Sequence, residues 1–397
     1  MTAVEARAVD LYDVATFADG HPVEVYAWLR ENDPVHWHAE PEGQGPGFWA
    51  VTRWADIRAV NRDEEHFSHW PVSMIEDFME TPHKSMVNLD PPLHTQVRKA
   101  TTPSFLAGAV RRRLPMFADA AQAIIEEIRP RGRCDLVVDV AGKMAAYVTA
   151  DVLRIPRADA VRLYEHVEVG LGGGGAYTME ERTAATEALV MYAAGMFEDR
   201  RTHPGEDVCS QLATCEIDGR PMDLEHFCAN VVLLIVGAGD TTRHLIAGGV
   251  QALFDFPDQR ALLVDDLDGR MPGAIEEMLR WVTPTVYNRR NAKSDVVLGG
   301  KQIRAGDKVC VYYGSGNRDP EQFPDPLRFD ITRSPNHHLT FSGQGVHVCL
   351  GAHVARAEGS AMVTALLREL PDLRPDGPME WTRSNFVMGP ARMPVTW

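Results

Sequence analysis

The chain has 397 residues, 45% of them hydrophobic, which is ample for a large buried core. Acidic residues outnumber basic ones by 56 to 40, and the net charge of −16 argues against a general nucleic-acid binder and against a polybasic membrane anchor. The six cysteines, at 134, 209, 215, 228, 310 and 349, form no CxxC pair, so a reducing compartment is expected rather than a disulfide framework.

Residues 1–17 alternate acidic and small side chains, with none of the apolar core of a signal peptide or anchor. The most apolar run, 231–236, is far shorter than the roughly 20 residues of a spanning helix, so a soluble, cytoplasmic monomer is expected. The first part of the chain reads as helices over 22–31 and 54–61 with strands at 35–38 and 48–51. Helical periodicity dominates from 103 to 281, strands and loops from 296 to 340, and a last helix covers 350–370. No linker divides the chain, so 1–397 reads as one domain, mainly α with a small β-rich lobe. The run Gly170–Gly175 fits GxGxxG, but it follows a helical pattern over 158–169 rather than a strand. It therefore reads as a connection, with the makings of a lid hinge.

Four groups of residues carry candidate chemistry. His94 and Arg98 follow Pro91-Pro92, which starts a helix, and lie four apart on one face; they are either a solvated pair or cations for a bound carboxylate. Gly237-Ala238-Gly239-Asp240-Thr241-Thr242 interrupts an apolar helix over 229–254 with residues of poor helix propensity. The Thr241 hydroxyl is expected to bond the Gly237 carbonyl and open the helix locally, leaving a groove lined by a hydroxyl and a carboxylate. The plainer reading is a packing notch. Glu277 and Arg280, three apart, are either a wet-face pair or a buried bidentate lock.

The last group is the loop 341–351, in which Cys349 stands between glycines just before a helix. Helix N–H groups aimed at the sulfur favour a thiolate, and such a thiolate suits axial ligation of a haem iron. Two alternatives stand beside this: a buried structural cysteine, and a zinc site drawing on His337, His338, His347, Cys349 and His353, although no second cysteine is near.

Taken together and in this order, the motifs resemble the cytochrome P450 family over essentially the whole chain. Arg290, the stretch Asn317-Arg318-Asp319-Pro320, Phe323 and Asp325-Pro326 belong to the same resemblance. It implies a triangular helical prism with a small β-rich side. It implies haem b with Cys349 as iron ligand, and His94, Arg98, Arg290 and His347 at the propionates. Asp240 and Thr241 match the acid–alcohol pair that delivers protons, and Glu277 and Arg280 the structural pair. The implied reaction is insertion of one atom of O2 into a C–H bond of a lipophilic small molecule (steroid, terpenoid, fatty acid or natural product). Electrons would come from a ferredoxin and its reductase, with Arg111-Arg112-Arg113 as a candidate docking patch. Val236, Val286, Tyr287, Phe386 and Val387 are expected pocket walls, covered by 70–87. A peroxide-driven haem-thiolate enzyme and a non-enzymatic haem or zinc protein are the alternatives.

The sequence departs from the family pattern in three places. The loop from Phe341 to Cys349 is one residue longer than usual, Ser342 stands where glycine is usual, and Asn288 where an aromatic or aliphatic residue is common. A similar longer loop, and an arginine at the position of Arg243, occur in some bacterial members that oxidise sterol side chains and other lipids.

Overall fold

The computed structural model describes residues 9–76, 84–171 and 177–397. Helices α1 (Val23–Asn32) and α2 (Trp54–Arg62) flank a hairpin of strands Val35–His38 and Phe48–Val51, the strands starting and ending where the residue pattern places them. Next come α3 (Leu93–Thr101), α4 (Ala107–Ile128), α5 (Lys143–Leu153), α6 (Arg157–Leu171) and α7 (Met179–Thr202). α8 (Val208–Ala213), α9 (Leu224–Asp255), α10 (Pro257–Asp265) and α11 (Leu267–Val282) complete the helical run. A strand-rich stretch then holds the short α12 (Tyr313–Gly316), and α13 (Ala352–Glu369) follows the cysteine loop. Side chains close the helix starts: Asp223 accepts from the His226 N–H at α9, Asp266 from Gly269 at α11, and Thr178 and Glu181 cap α7 reciprocally.

α9 is the axis of the main core. It is long and apolar enough to cross a membrane by length and composition, yet 56% of its most apolar window is buried inside the protein, as suits a core helix. Small residues set its neighbours' distance. A Cβ on Gly249 would lie 2.8 Å from Met278 of α11, and one on Gly359 of α13 would lie 3.2 Å from Leu245 and 2.8 Å from Ile275. α9, α11 and α13 therefore cross closely, which no larger residue at those positions permits.

The β-rich side is built on a five-stranded sheet in the order Val35–His38, Phe48–Val51, Lys308–Tyr312, Tyr287–Ala292, Phe67–Ser68. Lys308–Tyr312 runs parallel to Phe48–Val51 and antiparallel to Tyr287–Ala292, pairing Val309 with Arg290 and Val311 with Asn288. A second core of Phe17, Tyr26, Phe48, Tyr287, Tyr312 and Met388 fills one face of this sheet. Most of the glycine run (172–175), and 77–83 of the expected cover, lie outside the described residues.

Candidate active site

The loop before α13 doubles back on itself, with the Cys349 N–H donating to the Phe341 carbonyl at 3.2 Å. The turn needs left-handed backbone at Ser342 (φ 71°), Gly343 (φ 69°) and Gly345 (φ 104°). At Gly345 a Cβ would sit 2.1 Å from the Asn61 carbonyl oxygen, so α2 and the loop touch backbone to side of backbone. The Cys349 side chain is accessible, although protein surrounds it. Burial pushes its thiol up, opposed by the Gly351 N–H, Arg98 and Arg356. Those partners are the ones a helix terminus offers the sulfur, and desolvation works against them. Ligation of a metal ion would reverse the balance, since a coordinating thiol is deprotonated outright.

Beside the loop lies a cluster of cationic and imidazole side chains. His94 of α3 is 2% exposed rather than solvated, and its ring centroid is 4.0 Å from that of His347. Arg98, one turn on, donates to the Val348 carbonyl at 2.6 Å. Arg290 is 2% exposed and donates to Asn61 Oδ1 at 2.8 Å. Burial holds His94 at about 4, with Arg98 adding to it, and His347 at about 2, with His94, Arg290 and Arg98 adding to it. Both ring nitrogens of His94 and Nε2 of His347 are buried with no protein partner. Buried polar atoms of this kind call for a ligand. Two carboxylates of one anionic group, resting among two guanidiniums and these imidazoles, satisfy them, so the site fits a haem held by its propionates.

His69 also belongs to the cluster, stacked on His347 with centroids 3.4 Å apart. Sequence reasoning missed it, because nothing local marks it: His347, the Val87 carbonyl (3.2 Å from Nδ1) and Asp90 all come from other segments. The zinc set does not assemble. His338 pairs with Glu276 at 3.1 Å, His353 is exposed on α13, and no group of three metal-ligating side chains occurs among the described residues.

α9 turns two faces to two tasks. Gly237 and Thr241 share a face that is open within the core helix, and nothing lies within 4 Å of a Cβ built on Gly237. Gly239 faces the other way and is a packing notch, where a Cβ would lie 3.3 Å from Tyr164 of α6. The Thr241 hydroxyl donates to the Gly237 carbonyl at 2.8 Å, as its spacing predicts. The helix nevertheless runs unbroken from Leu224 to Asp255, because a carbonyl oxygen has two lone pairs and takes the hydroxyl as an extra partner.

Asp240 does not share that open face. Neighbours on a helix point about 100° apart, and Asp240 turns toward α6. It is 6% exposed, pairs with Arg243 at 2.9 Å and accepts from the Tyr164 hydroxyl at 3.4 Å. Arg243 also meets Glu168 at 3.2 Å. Burial raises the Asp240 carboxyl, and Arg243 opposes the rise.

Glu277 and Arg280 are both fully buried, which overturns the solvated-face alternative. Arg280 grips Glu277 through two bonds of 2.8 and 2.7 Å and donates to the carbonyls of Asn317, Pro326 and Arg328. Glu277 in turn accepts from the Asp330 N–H and Asn336 Nδ2. Asn317 bonds Thr283, Thr340 and the Leu339 N–H, carrying the lock to the start of the cysteine loop.

Of the expected pocket walls, Val236, Phe386 and Val387 are partly open, whereas Val286 and Tyr287 have no exposed surface. Those two back the wall from the second core, because residues leaving α11 turn directly into the sheet there. In the basic run, Arg111 and Arg112 are exposed on α4, but Arg113 is half-buried and donates to the Ser104 carbonyl at 2.9 Å.

The site and the fold define a haem-thiolate enzyme, and comparison with known proteins agrees. The sequence profile of the family described as Cytochrome P450 matches residues 271–393. A methyl-branched lipid omega-hydroxylase of Mycobacterium tuberculosis is 35% identical over 387 residues, covering 94% of this chain and 90% of that protein. A steroid C26-monooxygenase of Mycolicibacterium smegmatis is 33% identical, covering 96% of this chain and 91% of that protein. The structure of Mycobacterium marinum cytochrome P450 CYP268A2 in complex with pseudoionone superposes with a TM-score of 0.94 at 36% identity, covering all of both chains. The chain belongs to the cytochrome P450 family. It is a P450 monooxygenase, and its cofactor is a haem.

Proposed function

We propose that Cys349 is the axial ligand of a haem b, and that this one domain of 397 residues oxidises a C–H bond of a lipophilic small molecule in the cytoplasm, as a monomer. The bound haem supplies the activation of O2 that a thiolate ligand favours. The observation that carries the reading is the accessible Cys349 beside His94, Arg98, Arg290 and His347, with partnerless imidazole nitrogens among them. Arg98 and Arg290 would neutralise the propionates of the haem, and His94 and His347 would donate to them.

Across the site, Thr241 presents its oxygen on the open face of α9. Its own proton is already given to the Gly237 carbonyl, so the oxygen is left as an acceptor that can hold a proton donor in place. Asp240 serves as the proton source, but only when its carboxylate leaves Arg243 and turns toward that face. Burial raises the carboxyl, which favours its protonated form and so suits a group that passes protons on. Val236, Phe386 and Val387 contribute apolar wall and exclude water.

Electrons come from a ferredoxin and its reductase, with the exposed Arg111 and Arg112 as a docking patch for an acidic partner. The relatives act on a methyl-branched lipid at its omega end and on a steroid at C26. A branched aliphatic chain end is therefore the substrate class we assign first. Titration of the ferric enzyme with methyl-branched lipids and with steroids bearing a side chain tests this. A shift of the Soret band, followed by a hydroxylated product with ferredoxin, reductase and O2, is expected. A Soret band that no such compound moves would exclude the class. Turnover with peroxide alone, matching the ferredoxin system, would make the enzyme a peroxygenase instead.

A further inference from the structure

The two departures at Ser342 and Asn288 meet in space. Side chains two apart on a strand share a face, and on Tyr287–Ala292 that pair is Asn288 and Arg290. Each reaches Ser342 through one intermediary. Asn288 Nδ2 donates to the Tyr313 hydroxyl at 3.3 Å, and that hydroxyl donates to Ser342 Oγ at 3.3 Å. Arg290 donates to Asn61 Oδ1 at 2.8 Å, and Asn61 Nδ2 donates to the Ser342 carbonyl at 2.8 Å. Three separate elements thus converge on one residue of the cysteine loop: the strand, the end of α2 and the start of α12. Tyr313 is 1% exposed and also stands first among the groups that counter the burial of Arg290.

The backbone at Ser342 needs explaining. Its φ of 71° is the left-handed region that glycine occupies freely and serine does not. A serine in that conformation is useful only for its hydroxyl or for what the hydroxyl holds, and here the hydroxyl accepts from Tyr313.

We propose that Ser342 and Tyr313 are positioning residues that register the cysteine loop against the strand carrying Arg290, so that the sulfur and the propionate-binding arginine move as one unit. This rests on the proposed ligation at Cys349 and propionate contact at Arg290. The relay would hold the cysteine loop and Arg290 in one register toward the haem they bind. Breaking the Tyr313–Ser342 hydroxyl link removes one of the two branches and leaves the loop held only by Asn61 on the Ser342 carbonyl.

The test uses haem-loaded Ser342→Gly, Tyr313→Phe and the double variant. Three readouts are taken: midpoint potential, rate of haem transfer to apomyoglobin, and urea unfolding midpoint. Each single variant is expected to shift the potential in the same direction and to lose haem at least about threefold faster. The double variant is expected to go no further than the larger single, because one relay is cut twice. Ser342→Gly should keep or raise the unfolding midpoint, which separates loss of the relay from loss of fold. Unmoved potential and transfer rate in both singles, or effects that add in the double, would overturn the relay while leaving the haem-thiolate reading intact. A wild-type protein whose reduced carbon monoxide complex lacks the thiolate-type Soret band would sink that reading, and the relay with it.

Discussion

Single residues on α9 separate two kinds of work that adjacent positions in the sequence seem to share. Thr241 faces open space and Asp240 faces α6, so their substitutions should fail differently. Thr241→Ala removes an oxygen from the open face and leaves packing alone. It is expected to bind haem and substrate as the wild type does, yet to divert electrons to hydrogen peroxide. The ratio of product formed to electrons consumed should fall severalfold, and an unchanged ratio would remove Thr241 from proton handling. Arg243→Met instead strips the partner from a buried carboxylate that lies 2.9 Å away. Breaking a buried pair from one side costs about 3–5 kcal/mol, and the Asp240 carboxyl should rise further. Because the damage lies in the stranded charge, adding Asp240→Asn to Arg243→Met should recover much of the lost stability. Urea unfolding of the wild type and of these two variants measures this, and no recovery would mean that Arg243 acts through Glu168 or by packing alone.

At the scale of elements, the lock between α11 and the segment 317–336 holds the approach to the cysteine loop. Glu277 accepts from Arg280, from the Asp330 N–H and from Asn336, so Glu277→Ala leaves several buried donors unpaired at once. We expect a loss of about 3–5 kcal/mol in unfolding free energy and little haem incorporation on expression. A variant that folds and loads haem normally would show the lock to be dispensable. The motif was legible in the sequence, but its burial was not: a Glu and an Arg three apart read equally well as a wet pair, and only the returning loop, some 40 residues on, decides. The hairpin strands at 35–38 and 48–51 and the long helix through 229–254 were legible because local alternation and helical period fix them. His69, Asn61 and Tyr313 were not, since each acquires its role from partners far along the chain. The same holds for Asp240, whose partner Tyr164 lies on another helix. Local pattern names the residue, and tertiary packing names the face.

Across the whole molecule, buried ionisable groups pull stability in opposite directions with pH. Glu358 is buried and its carboxyl is pushed well above the usual range by desolvation alone, so it costs stability once the unfolded chain can ionise. His21 works from the other side. Burial lowers it to about 3, Arg318 adds to the lowering, and its contacts with the Val282 and Thr283 carbonyls oppose it. The ring packs beside Tyr26, and Gly314 leaves room for it, since a Cβ there would come within 2.3 Å. In the fold His21 stays neutral down to about pH 3, whereas in the unfolded chain it takes up a proton near 6.5. The unfolded state therefore binds more protons throughout that interval. The stability tied to His21 is complete above about pH 6.5 and drains away as pH falls toward 3, with a slope approaching about 1.4 kcal/mol per pH unit. His244 is 1% exposed and burial pushes it well below its ordinary value, with Arg243 adding to the effect, so it adds a slope of the same sign. Urea unfolding of the haem-loaded enzyme at a series of pH values from 7 to 5 should show a midpoint that declines on acidification. His21→Gln, which keeps a donor for the two carbonyls but cannot take up a proton, should be less stable at pH 7 and flatter below it. If the variant falls as steeply as the wild type, His21 is not held neutral in the fold, and the acid sensitivity has to come from other groups.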